Sequence, residues 1–194
     1  YIEHGLVEPS EILKYIDSQQ DRIQAYDFLQ QLSWRDFYQK KYFENPETIW
    51  ENLDEYKTGF SHDDYADDLP SDILSATTNV AVINTLIKTL QNTGYLHNHA
   101  RLYLAAYIVH WRRIKWQVGA RWMLSHLIDG NLASNNYSWQ WVASTGSQKA
   151  YIFNLDNVRK YAANEGMNLS VEHNFPIYGS YEVIAQRLFP KKAA

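Results

Sequence analysis

The stretch Leu127–Gly146 reads LIDGNLASNNYSWQWVASTG. Asp129 and Asn131 flank a glycine, Asn135 and Asn136 are adjacent, and Trp139 and Trp141 sit one residue apart. A packed core does not ask for so many amides, and a solvated loop rarely keeps two indoles in three residues. The segment reads as a seat for a large, flat molecule with a polar edge. Taken singly, its parts have plainer readings: the paired asparagines as a helix cap or turn, the tryptophans as core.

The remaining chain bounds that idea. Its 194 residues suffice for one domain with a substantial core. Aromatic residues make up 15%, with 15 Tyr and 7 Trp, which fits a stacked ligand, a partner surface or a Tyr-rich core. The net charge of −4 does not advertise phosphate-backbone binding. Local basic clusters stand at Arg112, Arg113 and Lys115, and at Lys40 and Lys41, and each reads equally as a solvated helix face. The absence of cysteine excludes disulfides, thiolate metal sites and a Cys nucleophile within these residues. It fits a reducing compartment, the cytoplasm or an organelle such as the chloroplast. No apolar run approaches the roughly 20 residues of a membrane span. A start at Tyr1 rather than Met points to trimming, processing or a fragment.

Glycine and proline are scarce, and the stretches between them carry helical rather than alternating periodicity. Ser10 is the expected N-cap of a short helix through Asp17. A first long helix is expected from Asp21 to Phe43, with Ile23, Tyr26, Leu29 and Phe37 as its apolar stripe. Residues 54–72 hold seven acids and one lysine and read as an exposed acidic loop, with a cation site as the sharper alternative. Further helices are expected over Asn79–Asn92, closed by Gly94, and over Asn98–Lys115, Gln117–Ile128, Trp139–Thr145, Leu155–Asn164 and Tyr181–Leu188. His97, His99, His110 and His126 show no metal-ligand spacing. The expectation is one all-α domain over residues 1–194, without a metal.

Three segments then line up: WRDFY at Trp34–Tyr38, NTGYLHNHARL at Asn92–Leu102, and KWQVGARWMLSHLIDG at Lys115–Gly130 running into the opening stretch. Together they resemble the helical FAD-binding half of the photolyase and cryptochrome family. The resemblance is ungapped from about Asn92 to Gly146 and extends loosely back to YIEHGLVEPSEIL at Tyr1–Leu13. So long a match with such rare residue types is far more specific than a short pattern.

The resemblance implies a set of roles. Arg101 and Asp129 would form an ion pair beside the isoalloxazine, as charges taken from water require. Asn98 would orient the cofactor, and Asn135 would face flavin N5, where an amide favours reduced flavin states. Gln31, Arg35 and Tyr38 would approach from the first long helix. Asn131 and Ser134 would meet the ribityl or adenosine portion. Trp116 and Trp139 match two members of the family's electron relay. A third has no obvious match: Phe43, Tyr56 and Tyr65 lie in the relevant region, Trp50 is the nearest indole, and Trp111 and Trp122 offer another route. Trp34, Tyr95, Leu102 and Trp141 would meet a flipped-out base if the substrate is DNA.

Departures from the family matter as much. Gln31 stands where repair enzymes carry Glu, and a neutral amide cannot donate that proton. Leu102 replaces a methionine, Tyr95 a tryptophan, His99 an arginine and Asn131 an aspartate. The path after Gly146, SQKAYIFN at Ser147–Asn154, is shortened and lacks the family's basic residues. The family's antenna domain and its phosphate-holding T-S-x-L-S segment lie outside this sequence. The leading expectation is therefore an FAD-binding, light- or redox-dependent electron-transfer or partner-binding domain, with a protein partner met through the aromatic or acidic surface. A minimal DNA photolyase and a structural subunit that has lost FAD are the alternatives.

Overall fold

The computed structural model describes residues 2–19, 23–164 and 166–190. Nine α-helices are seen among them: α1 Pro9–Ser18, α2 Tyr26–Glu44, α3 Ser71–Leu74, α4 Ala81–Thr93, α5 Asn98–Ala106, α6 Trp116–His126, α7 Leu132–Ala143, α8 Leu155–Tyr161 and α9 Tyr181–Leu188. No strand is present among the described residues, only an isolated bridge between Ala66 and Ile114. The all-helical expectation is met.

The largest core joins α4, α5, α6 and α7. Ile83, Leu86, Ile87 and Leu90 of α4 are buried against Tyr103 and Leu104 of α5 and Met123 of α6. Gly94 closes α4 with φ +66°, the left-handed conformation that glycine adopts without Cβ strain. A Cβ there would come within 2.6 Å of the Ile128 side chain. The α6–α7 contact is closer still. A Cβ on Gly119 would lie 2.4 Å from the Trp139 ring and 3.0 Å from Ile108, so only glycine lets the indole reach the α6 backbone.

Several element boundaries differ from the expected ones. Glu8, not Ser10, caps α1, because Pro9 takes the first helical position; the Glu8 N–H donates to Glu11 Oε2 at 3.1 Å. The first long helix begins at Tyr26; Asp21 lies outside the described residues, and Ile23 stands before the helix, 92% exposed. Its expected stripe was out of phase. Phe28, Trp34 and Phe37 face solvent, only Leu32 is buried, and the packed face runs through Arg35, Tyr38 and Tyr42. α5 ends in a π-helical turn, Tyr107–Trp111, and does not continue to Lys115. Arg113 has φ +48°, and Ile114 turns inward to pair with Ala66. α7 begins seven residues earlier than expected. Asn131 is its N-cap and accepts the Ser134 N–H at 2.9 Å, so Asn135 and Asn136 lie inside the helix. α8 stops at Tyr161, short of Asn164, and α9 matches its expected bounds.

The acidic segment 54–72 is not a free loop. Tyr56 and Tyr65 are buried and stacked with ring centroids 4.1 Å apart, and Thr58 shares a 2.9 Å hydrogen bond with the Tyr65 hydroxyl. The Ala66 N–H donates to Arg113 O at 2.7 Å, and Lys115 N–H donates to Ala66 O at 3.0 Å. Asp72 binds Arg112 at 2.7 Å and Asp67 binds Lys115 at 2.6 Å. Arg113 donates to Leu188 O at 2.7 Å, and its guanidinium stacks on Phe60. Asp67 and Asp72 are therefore partners of the basic cluster, a pairing that engages Arg112 and Lys115 within the fold. No group of three or more metal-ligating side chains occurs among the described residues.

Candidate functional site

A cavity of about 180 Å³ opens between α2 on one side and α5, α6 and α7 on the other. Twelve of the fifteen site residues singled out from sequence line it. Gln31, Trp34, Arg35 and Tyr38 come from α2 at helical spacing. Asn98, Arg101 and Leu102 come from α5. Asp129 and Asn131 lie in the α6–α7 turn, and Ser134, Asn135 and Trp139 follow on α7.

The polar rim is organised by Arg101. Its Nη2 donates to both Asp129 oxygens, at 2.9 and 2.8 Å, and its Nε donates to Leu96 O at 2.7 Å. Three bonds thus fix the guanidinium plane across two elements. Asn135 donates through Nδ2 to Ala120 O at 3.2 Å and to Asn136 Oδ1 at 3.1 Å. Both amide hydrogens are engaged, which leaves Oδ1 as the group it can offer to a ligand. Asn136, fully buried, donates to Ile49 O at 3.0 Å and anchors the pair. Ser134 Oγ is buried and finds no hydrogen-bond partner among the described residues. That hydroxyl has hydrogen-bonding capacity that a ligand or a water can take up.

Apolar walls complete the slot. Ala105, Met123, Leu127 and Val142 line it beside Leu102 and Trp139. None of these four was assigned to the site from sequence. Helical spacing was the available signal: Ala105 lies four residues from Arg101, and Val142 seven from Asn135. On the α2 side, Tyr38 stacks on Tyr137 with centroids 5.4 Å apart, and Lys41 lies 4.6 Å over that ring. Burial raises the Tyr38 phenol and lowers the Lys41 ammonium from their ordinary values.

Three expected residues lie outside the slot. Tyr95 is half exposed beneath the Arg101 guanidinium, 5.4 Å from its ring centroid. Trp141, next to Gln140 on α7, points the other way. It is 42% exposed, 5.2 Å from Tyr151, and lines a separate open groove of about 940 Å³ between residues 147–152 and α9. Trp116 is fully buried behind the slot. Its indole donates to Asn52 Oδ1 at 2.7 Å, and its ring stacks on Trp50 at 6.2 Å and 10°. Trp50 is half buried with the Arg121 guanidinium 4.4 Å over it. Trp111 donates to Pro176 O and packs on Phe153, and Trp122 packs on His126.

The N-terminal segment crosses the edge of the slot. Glu3 accepts from Arg35 Nη2 at 3.1 Å and from Asn131 Nδ2 at 2.9 and 3.0 Å. A second cavity of about 490 Å³ lies on its other side and shares Arg35, Asp129, Asn131 and Ser134 with the first. No local sequence signal marked Glu3, since its partners lie 32 and 128 residues away.

The family described as "FAD binding domain of DNA photolyase" matches residues 28–167. The chain belongs to that family. Its relatives include the deoxyribodipyrimidine photo-lyase of Alkalihalophilus pseudofirmus, 32% identical over 160 residues, covering 81% of this chain and 33% of that protein. The Streptomyces griseus enzyme of the same name is 32% identical over 120 residues, covering 62% and 26%. The Escherichia coli enzyme is 40% identical over 80 residues, covering 41% and 17%. The chain thus spans at most a third of the length of these relatives. An archaeal photolyase from Sulfolobus tokodaii, solved with two FAD molecules, superposes with a TM-score of 0.65 at 20% identity, over 90% of this chain and 46% of that one. A bacterial class III photolyase from Agrobacterium tumefaciens gives 0.61 at 20%, over 86% and 42%. At that identity the superpositions show the shared helical fold.

FAD is the family's cofactor, and the residues of this slot fit its ring end. The donor set is a fixed guanidinium, a fixed amide oxygen and an orphaned hydroxyl between apolar walls. A volume of about 180 Å³ is small against the ~300–1,000 Å³ of ordinary ligand pockets. The slot therefore suits the ring system, and the neighbouring cavity past Glu3 offers room for the remainder. No helix among the described residues is long and apolar enough to cross a membrane.

Proposed function

We propose that residues 1–194 form one photolyase/cryptochrome-like FAD-binding helical domain working in light- or redox-dependent electron transfer. The observation that carries the reading is the convergence of Arg101, Asp129, Asn135 and the orphaned Ser134 hydroxyl on one open slot. When bound, the flavin supplies the light absorption and the electron acceptor. The protein's part is positioning. Arg101, held by Asp129 and Leu96 O, meets the polar edge of the ring. Asn135 presents Oδ1, an acceptor, to the atom it faces, and so favours a protonated nitrogen there. Asn98, Gln31, Arg35 and Tyr38 close the α2 side, and Asn131 and Ser134 serve the ribityl or adenosine portion.

Electrons reach the slot through indoles. Trp139 forms part of its wall, Trp116 lies one turn before Gly119 on the helix beneath it, and Trp50 stacks on Trp116. Trp50, the nearest indole in the sequence, would take the outer place. Its partial exposure gives external reductant access, and the 10° interplanar angle gives Trp50 and Trp116 stacked overlap. The test is blue-light reduction of the FAD-loaded protein with an external thiol. Trp116→Phe and Trp50→Phe are each expected to slow flavin bleaching by about an order of magnitude, a barrier increase of about 1.4 kcal/mol. Unchanged rates in both would refute the route.

Repair of pyrimidine dimers is the second reading, favoured by the photolyase relatives and by Trp34 and Leu102 at the mouth of the slot. Against it, Gln31 offers no carboxyl proton, and Trp141 lines the separate groove rather than facing Trp34 across the slot. Dimers in a UV-damaged oligonucleotide are expected to persist under blue light, and their disappearance would establish the repair reading.

A further inference from the structure

The structure places a chain-borne carboxylate where the slot and its neighbouring cavity meet. Glu3 receives three hydrogen bonds there, one from the Arg35 guanidinium and two from the Asn131 amide. It is three-quarters buried, as is Arg35, so the contact is not a solvated surface pair. The other charged groups in reach do not compete for the same seat. Asp129 is occupied by Arg101, and Asp36 reaches Arg35 at 3.8 Å from the opposite guanidinium nitrogen. His4, the next residue, bonds Ile128 O at 2.8 Å, which ties the segment down on the turn before Asp129. Ser134, whose Oγ lacks a partner among the described residues, lines both cavities.

A guanidinium and an amide NH₂ converging on one point make a seat for an anion, and Glu3 is the anion that fills it. We infer that Glu3 is a latch: its carboxylate occupies the seat that the cofactor's diphosphate takes on loading, and it must leave Arg35 and Asn131 for FAD to thread from the slot into the second cavity. This rests on the flavin reading of the slot. Two anions cannot share one guanidinium at hydrogen-bond distance without repulsion in a partly desolvated site. A ligand carrying only the ring and ribityl chain meets no such conflict.

Riboflavin, FAD and inorganic pyrophosphate separate the parts. Binding of riboflavin and FAD is followed by quenching of flavin fluorescence in wild type, Glu3→Ala and Glu3→Gln. Pyrophosphate binding is followed by the shift in thermal unfolding. The latch predicts that both variants bind FAD about tenfold tighter, the scale of one charge-assisted hydrogen bond. Riboflavin affinity should stay within about twofold, and pyrophosphate should raise the unfolding temperature of Glu3→Ala but not of wild type. Glu3→Gln keeps the size of the side chain and removes its charge, so a packing effect of Glu3→Ala is separated from an electrostatic one. If riboflavin binds and FAD affinity in both variants is unchanged or weaker, the latch is wrong while the ring slot stands, and Glu3 is then a support for the site. If no flavin binds any of the three proteins, the flavin reading falls and the latch with it.

Discussion

The two walls of the slot are built differently. The wall of α5, α6 and α7 belongs to the core: Trp139, Met123 and Val142 are buried, and Gly119 admits the indole to within contact of the α6 backbone. The α2 wall is docked rather than embedded. Of its 19 residues only Leu32 is buried, and Phe28, Trp34, Phe37 and Phe43 are exposed. Its ties to the rest run through the Tyr38–Tyr137 stack and the Arg35–Glu3–Asn131 bonds. On the proposed flavin reading, the embedded wall would seat the ring, and α2 with the N-terminal segment would govern access to it.

Substitutions can separate these roles. At neutral pH the largest effect is expected at Gly119. Gly119→Ala forces Trp139 off the α6 backbone and should destabilise the fold by about 1–3 kcal/mol, read by chemical denaturation. A cost below ~0.5 kcal/mol would mean that the embedded wall yields more easily than its packing implies. Next is the buried His110, whose pKa burial lowers from 6.5 to about 4 while its Nε2 bonds Val142 O at 2.9 Å. The unfolded chain takes up this proton first, so stability is intact above pH 6.5 and falls as pH drops toward about 4, by at most about 1.4 kcal/mol per unit. His110→Gln should flatten that acid-side decline, and an unchanged profile would show that other groups cause it. Smallest is the α2 face: Phe37→Ser should shift stability by no more than ~0.5 kcal/mol, because the ring is 53% exposed. A larger loss would show that α2 is held more firmly than its burial indicates.

The same contrast explains what could be read from the sequence. The α5–α7 wall was legible because its chemistry is local: Asn92–Gly146 carries Arg101, Asp129 and Asn135 in one ungapped run, and a helix brings residues three, four and seven apart onto one side. What failed there were boundaries. α7 was expected to start at Trp139 because the amides before it read as turn formers, whereas Asn131 alone serves as cap and the others pack inside. The α2 wall was read with the wrong phase, since exposed aromatics mimic an apolar stripe. The segment 54–72 keeps most of its acids exposed, as expected, but its anchoring was not legible. Its acids dominate the composition, but Tyr56 and Tyr65 are buried, and the partners of Asp67 and Asp72 lie 48 and 40 residues away. Trp50 beside Trp116 and Glu3 beside Asn131 are likewise contacts between distant segments, invisible to spacing.

The proposed hold of the Arg101–Asp129 pair on an isoalloxazine ring is tested most directly by titrating riboflavin, the ring without the diphosphate, into wild type and Asp129→Asn, with unfolding checked in parallel. Wild type is expected to bind saturably and Asp129→Asn to lose about tenfold or more, as the guanidinium loses the charge that orients it. Equal affinity in a folded Asp129→Asn protein, or no saturable binding by wild type, would contradict it.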